Sequence, residues 1–183
     1  VKNINKIIWE VEKNSDLQLT ARTSNDNRRA FALTNIGTPD DYVSEGASEW
    51  ADVQEIGKRC EAFMKKGLSR KILFYGPPGT GKTTLARTLV VGKTLRIESA
   101  AIELAGTKAV MDFVMLLRPK VILFDDLDRN ESYAVEILHY MEGIGNKDSI
   151  YNEVWKDGFL VVGTVNTLSK NFGDNIMLLR VFG

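Results

Sequence analysis

Two short stretches of this chain carry the residue types that phosphate chemistry needs. In the first, Gly76-Pro77-Pro78-Gly79-Thr80-Gly81-Lys82-Thr83, three glycines and one ammonium follow the apolar run Ile72-Leu73-Phe74-Tyr75, and a second hydroxyl, Thr84, comes next. Glycine lets backbone N–H groups crowd around an anion. A helix opening at Lys82 adds the positive end of its dipole. At this spacing Lys82 reaches β- and γ-phosphates and Thr83 offers its hydroxyl to Mg²⁺. In the second stretch, Val121-Ile122-Leu123-Phe124 runs into Asp125-Asp126-Leu127-Asp128. Carboxylates at the C-terminal end of a buried parallel strand lie at the sheet edge where ligands bind. Asp125 is the candidate for the Mg²⁺ shell and Asp126 for orienting the attacking water, with Asp128 in reserve. A glycine turn or a solvated acidic loop would explain either stretch alone. The pair in this order favours nucleotide chemistry.

A third polar group stands at the end of the apolar run Phe159–Val165, where Asn166 can touch a γ-phosphate or hold a water. These residues need a scaffold, and the periodicity supplies one. Strands are expected at Lys71–Tyr75, Leu95–Ser99, Val121–Phe124 and Phe159–Val165. Helices are expected at 48–66, Lys82–Val91, Thr107–Leu117 and Glu131–Met141. Apolar runs without alternation mark strands covered on both faces. Alternation of strands with helices implies a parallel α/β sheet. Before it, Ile4–Val11, Asp16–Arg22 and Arg29–Thr34 alternate between turn clusters and read as a small antiparallel β meander. A boundary near 35–47 sets a β-rich segment, 1–47, apart from a core, 48–183. The polar stretch Gly143–Gly158 has no assignable pattern.

Composition excludes several classes. At 183 residues with 44% apolar and 26% charged residues, the chain suits one soluble globular core. Its net charge of zero argues against nucleic-acid binding by bulk charge, although a local basic patch stays open. Asp40–Glu55 is acidic and Lys58–Lys71 basic, as expected of solvated faces around a helix. The one cysteine, Cys60, excludes an internal disulfide and reads as core. The one histidine, His139, lacks partners for a metal site. No run is long or apolar enough to span a membrane and no signal peptide is visible, so an intracellular, cytoplasmic setting is expected.

Taken together, these residues resemble the AAA+ ATPases. Gly76–Thr83 with Thr84-Leu85-Ala86 is similar to their Walker A motif, Val121–Asp126 to Walker B, and Asn166 to sensor 1. Arg180, in Met177-Leu178-Leu179-Arg180, resembles the arginine region that follows sensor 1. The resemblance covers about 48–183. It implies a P-loop NTPase sheet, ATP and Mg²⁺ as cofactors, and a ring of subunits, usually a hexamer, with sites at the interfaces. In that setting Asp126, Asn166 and an Arg180 supplied to a neighbour act in catalysis. Gly76, Pro77, Pro78, Gly79, Thr80, Gly81, Lys82, Thr83 and Thr84 bind nucleotide, and Thr83 and Asp125 serve the metal.

The sequence departs from the family pattern in several places. The second Walker B acid is an aspartate, Asp126, one methylene shorter than the usual glutamate. The pore-loop slot reads Glu103-Leu104-Ala105-Gly106, without an aromatic. The segment between Lys82 and Asp125 is compact. The end at Gly183 implies a fragment lacking the fifth core strand and the helical lid, and a start at Val1 implies a missing beginning. A short helix is expected at Ile176–Leu179. The leading functional expectation is ATP hydrolysis coupled to remodelling a macromolecule, protein before nucleic acid. A DNA-directed loader-type switch and an ATP-binding structural ring with little turnover are the alternatives.

Overall fold

The computed structural model describes residues 9, 15–37, 48–67, 70–79, 81–89, 94–129, 132, 133, 135–137, 159–168 and 177–180. Their order is β1 (Asp16–Thr23), β2 (Arg29–Gly37), α1 (Ser48–Lys65), β3 (Arg70–Tyr75), α2 (Lys82–Thr88), β4 (Thr94–Ile97), α3 (Ser99–Leu117), β5 (Val121–Phe124), a 3₁₀ turn (Leu127–Arg129), β6 (Leu160–Val165) and β7 (Met177–Arg180). They build one seven-stranded sheet in the order β2-β1-β4-β5-β6-β3-β7. Every pairing is parallel except β1 with β2.

The unbroken apolar runs are explained by two cores, one on each face. On β3, Ile72 and Phe74 enter the core shared with α1 and α2, while Leu73 enters the core beneath α3. On β5, Val121 and Leu123 take the first side, Ile122 and Phe124 the second. Successive strand residues face opposite ways, so a strand covered twice must be apolar at every position. Each such side chain contributes roughly 1.5–3 kcal/mol by leaving water. Val53, Cys60 and Met64 bring the apolar stripe of α1 into the first core. Gly57 lets α1 approach α2, since a Cβ there would lie 1.9 Å from the Leu89 carbonyl oxygen.

The sheet corrects one expectation. A fifth core strand is present within the chain: β7 lies parallel to β3, with Ile72 opposite Met177 and Tyr75 opposite Arg180. Met177-Leu178-Leu179 is too short an apolar run to distinguish helix from strand by period. The free edge of β3 decides for strand, so the short helix expected at Ile176–Leu179 is replaced by β7 over its described residues.

Other boundaries shift. α3 begins at Ser99 rather than Thr107, and Gly106 interrupts it with φ 83° and ψ 164°. The pore-loop slot Glu103–Gly106 is therefore the end of a helical segment. α2 ends at Thr88, short of Val91. Two of the three N-terminal patterns form the β1–β2 hairpin, and in the third Trp9 is the described residue and is helical. Its indole Nε1 donates to the Leu117 carbonyl oxygen at 2.8 Å, closing the C-terminus of α3. The hairpin joins the main sheet through β1 and β4, in register at Gln18 and Arg96. Of the helix expected at 131–141, residues 132, 133 and 135–137 are described and helical. His139, Gly143–Gly158 and Thr80 lie outside the described residues.

Candidate nucleotide site

The phosphate-loop sequence leaves the C-terminal end of β3, where the Gly76 N–H donates to the Val165 carbonyl at 3.3 Å. The loop is thereby tied to β6 at its first residue. Gly79 and Gly81 have φ of 78° and 83°, and a Cβ at either would meet nothing within 4 Å. Side chains rarely adopt this backbone region, so these glycines are required by conformation and leave space open over the loop. The Leu85 N–H donates to the Gly81 carbonyl oxygen at 3.0 Å and starts α2. Pro77, Pro78 and Gly79 are exposed.

Lys82 is buried, and its ammonium donates to the carbonyl oxygens of Gly76 at 3.0 Å and Pro77 at 2.8 Å. The charge is thus held at the base of the loop. Thr83 and Thr84 follow, half-buried, on the first turn of α2.

Asp125 is the hub. Its Oδ1 accepts from the Thr83 hydroxyl at 2.6 Å and the Thr164 hydroxyl at 2.7 Å. Its Oδ2 accepts from Arg96 Nε at 3.1 Å and forms an ion pair with Arg96 Nη2. Burial is the largest influence on this carboxyl and pushes its pKa up. The Thr83 hydroxyl, the Arg96 charge and the Thr164 hydroxyl together outweigh it and hold the pKa below the ordinary aspartate value. Asp125 is therefore a firmly ionised oxygen donor.

Asp126 differs in every respect. Its backbone turns left-handed at φ 52°, a region where aspartate is among the better tolerated residues. The turn points its N–H back to the Thr164 hydroxyl oxygen, 2.9 Å away, and leaves the residue exposed. Partial desolvation, then the negative charges of Asp125 and Asp128, raise its pKa above the ordinary value. Two adjacent carboxylates are thus pushed in opposite directions, one by its hydroxyl and guanidinium partners and the other by burial and its acidic neighbours. A pocket of about 130 Å³ opens beside them, lined by Arg96, Glu98, Ser99 and Arg129 together with both acids.

Asp128 acts on the backbone instead. Its Oδ2 accepts from the N–H groups of Asn166 at 2.8 Å and Thr167 at 3.1 Å. It ties the loop after β5 to the loop after β6, with Asn166 exposed between them. Arg180 is described by its backbone, opposite Tyr75, one residue before the phosphate loop.

Sequence reasoning missed Arg96 and the double role of Thr164, which donates to one acid and accepts from the backbone of the other. A buried threonine beside Asn166 was visible as a signal, but Arg96 in Leu95-Arg96-Ile97 reads as one exposed strand position. No cluster of three His, Cys, Asp or Glu side chains suited to a metal exists among the described residues. The hydroxyl and carboxylate of Thr83 and Asp125 fit Mg²⁺, a hard cation that keeps waters and takes its other ligands from phosphates. Open space above Gly79 and Gly81, with an ammonium at the base, fits a polyphosphate.

A family model, the "ATPase family associated with various cellular activities (AAA)", matches residues 72–180. A Holliday junction branch migration complex subunit RuvB of a Synechococcus strain is 36% identical over 104 residues, covering 55% of this chain and 28% of the relative. A replication factor C small subunit of Pyrobaculum islandicum is 46% identical over 48 residues, covering 26% of this chain and 15% of the relative. Among solved structures, a Drosophila ORC bound to DNA gives a TM-score of 0.45 at 15% identity, covering 72% of this chain and 42% of that one. The chain thus spans less than a third of the curated relatives' lengths. Among the described residues no helix is long and apolar enough to cross a membrane.

Proposed function

The chain belongs to the AAA ATPases, and on that footing we propose that it binds ATP with Mg²⁺ and hydrolyses it, in a ring of subunits, to act on DNA. One observation carries the chemical half: Thr83, Asp125, Thr164 and Asp126 form a continuous hydrogen-bonded row joining the phosphate-loop helix to the ends of β5 and β6. In this reading Lys82 offsets the negative charge of the β- and γ-phosphates. The hydroxyl of Thr83 and the carboxylate of Asp125 hold Mg²⁺, which when bound draws electron density from the phosphate oxygens. Asp126 orients the attacking water and takes its proton, a role suited to a carboxylate with raised proton affinity. Asn166 meets the γ-phosphate, and Arg180 serves a neighbouring subunit.

The DNA half rests on the relatives, whose names assign them to Holliday junction branch migration and to replication. The sequence-based preference for a protein substrate finds no support among them. The loader-type switch, an alternative at the level of sequence, becomes the leading reading.

ATPase assays with single-stranded DNA, duplex DNA, unfolded protein or no addition test this. The expected result is stimulation by DNA and none by unfolded protein, with Asp126→Asn lowering turnover by roughly 10²-fold or more while nucleotide still binds. Stimulation by unfolded protein alone would refute the DNA reading. Full turnover in Asp126→Asn would refute the role of Asp126.

A further inference from the structure

The N-terminal hairpin belongs to none of the motifs above, yet one face of β1 makes three polar contacts with the core, two of them to residues that line the site. Residues 16, 18 and 20 share that face, while Leu17 and Leu19 turn into the core beneath α3. Asp16 pairs with Arg87 of α2, Nε to Oδ2 at 2.8 Å. The Gln18 side-chain oxygen accepts from Arg96 Nη1 at 3.2 Å. The Thr20 hydroxyl donates to Glu98 Oε2 at 2.7 Å. From Asp16 to Thr20 every second residue of β1 therefore grips a charged side chain, and two of these, Arg96 and Glu98, line the pocket beside Asp125.

We propose that Gln18 is a positioning residue for the Mg²⁺-binding carboxylate of Asp125, acting through Arg96. The assignment rests on the nucleotide reading above. Arg96 spends Nε and Nη2 on one oxygen of Asp125 and turns Nη1 to Gln18. The guanidinium is planar, so fixing its far edge fixes the fork presented to the carboxylate. That fork holds Oδ2, which leaves Oδ1 to Thr83 and Thr164. Competing acceptors stand close by, because Glu98 and Asp126 line the same pocket as Arg96. Without Gln18 the guanidinium is free to turn toward them, and the plane of Asp125 loses its far support. The register pairs Gln18 with Arg96, and the buried Asp16–Arg87 ion pair holds that register in place.

A fluorescent ATP analogue, titrated in EDTA and in Mg²⁺, separates this role from simple packing. The affinity in EDTA reports the phosphate loop, and the gain on adding Mg²⁺ reports the metal side. Gln18→Leu keeps the volume and removes the acceptor. It should bind within twofold of wild type in EDTA and lose roughly three- to tenfold of the Mg²⁺ gain, the range for one ordinary intramolecular hydrogen bond. Gln18→Glu keeps an acceptor and should retain the gain. Arg96→Gln should lose as much or more, and adding Gln18→Leu to it should change nothing further, because the route through Arg96 is already gone.

An undiminished Mg²⁺ gain in Gln18→Leu, or an equal further loss in the Arg96→Gln background, would overturn the proposal. Arg96→Lys covers the case in which Gln18→Leu fails to fold: it keeps the charge without the fork and should lose the gain, and a full gain would count against the assignment. Wild-type protein that binds the analogue in neither buffer would remove the nucleotide reading and this assignment with it. Wild-type binding in EDTA with no effect of any variant removes this assignment alone.

Discussion

Arg87→Met should cost about 3–5 kcal/mol of folding stability at neutral pH, because it strips the partner from a fully buried charge. Asp16 has a side chain with 0% exposure and Arg87 one with 10%. Besides the ion pair, Arg87 Nη2 donates to the carbonyl oxygens of Ile36 at 3.2 Å and Gly37 at 3.1 Å. Methionine fills the space of the stem but supplies none of these contacts. Burial raises the Asp16 pKa above 3.8, and the Arg87 hydrogen bond and charge offset only part of that rise; Thr94 adds a smaller downward pull, although Oδ1 makes no full hydrogen bond.

The sign follows from proton linkage. A folded-state pKa above the unfolded value means that the native state binds more protons between the two. The Asp16 contribution to stability therefore falls as pH rises from the unfolded value through the folded one. Arg87→Met removes the two largest downward influences, so the folded pKa moves higher and the window widens. Urea titrations at pH 5 and pH 8 would measure this, with the larger destabilisation expected at pH 8. A second chain, Asp16→Leu with Arg87→Met, should recover most of the loss, since an apolar pair has no charge to desolvate. A loss under about 1 kcal/mol, or one equal at both pH values, would refute the reasoning.

Lys82→Ala should lower ATP affinity on the order of 10²-fold with the fold retained, as two or more charge-assisted contacts disappear; titration calorimetry reads the loss. Thr164→Val removes a hydroxyl that donates to Asp125 at 2.7 Å while keeping shape, and should cost about 1.5–3 kcal/mol in chemical denaturation. Thr164→Ser should restore most of it. Gly57→Ala gains up to ~1 kcal/mol in helix propensity but sets a methyl 1.9 Å from the Leu89 oxygen, so α1 must retreat and thermal stability should fall. Mixing Arg180→Ala with Asp126→Asn should recover part of the ATPase activity lost by each, if Arg180 is supplied in trans; no recovery at any ratio, with assembly confirmed by light scattering, would refute that role.

What was legible in the sequence was local. The loop from Gly76 to Thr83 and the pair Asp125-Asp126 are contiguous, so their chemistry follows from types and spacing, and the apolar runs at β5 and β6 announce strands covered twice. Arg96 was hidden because its partners lie 29 and 78 residues away. The role of Thr164 was hidden inside the apolar run Phe159–Val165, because its bridge between the two acids spans 38 residues to Asp126. The alternation in Asp16–Arg22 identified a strand and could not say that β4 would be its second neighbour. β7 failed for a related reason: a four-residue element has no period of its own, and the edge of β3 gives it one.

The order of the strands has a consequence for synthesis of the chain. β3 carries the phosphate loop, but its two neighbours are β6 and β7, whose pairings join Arg70 to Leu160 and Ile72 to Met177. The β1–β2 hairpin, by contrast, can close as soon as Gly37 is made. A nascent chain stopped before Leu160 has the complete glycine loop and no strand on either side of it. Parallel pairings this distant in sequence are late and slow. The hairpin that grips Arg87 and Arg96 is ready long before the strands that frame the loop, so the capacity to hold nucleotide arrives near the end of translation of this segment.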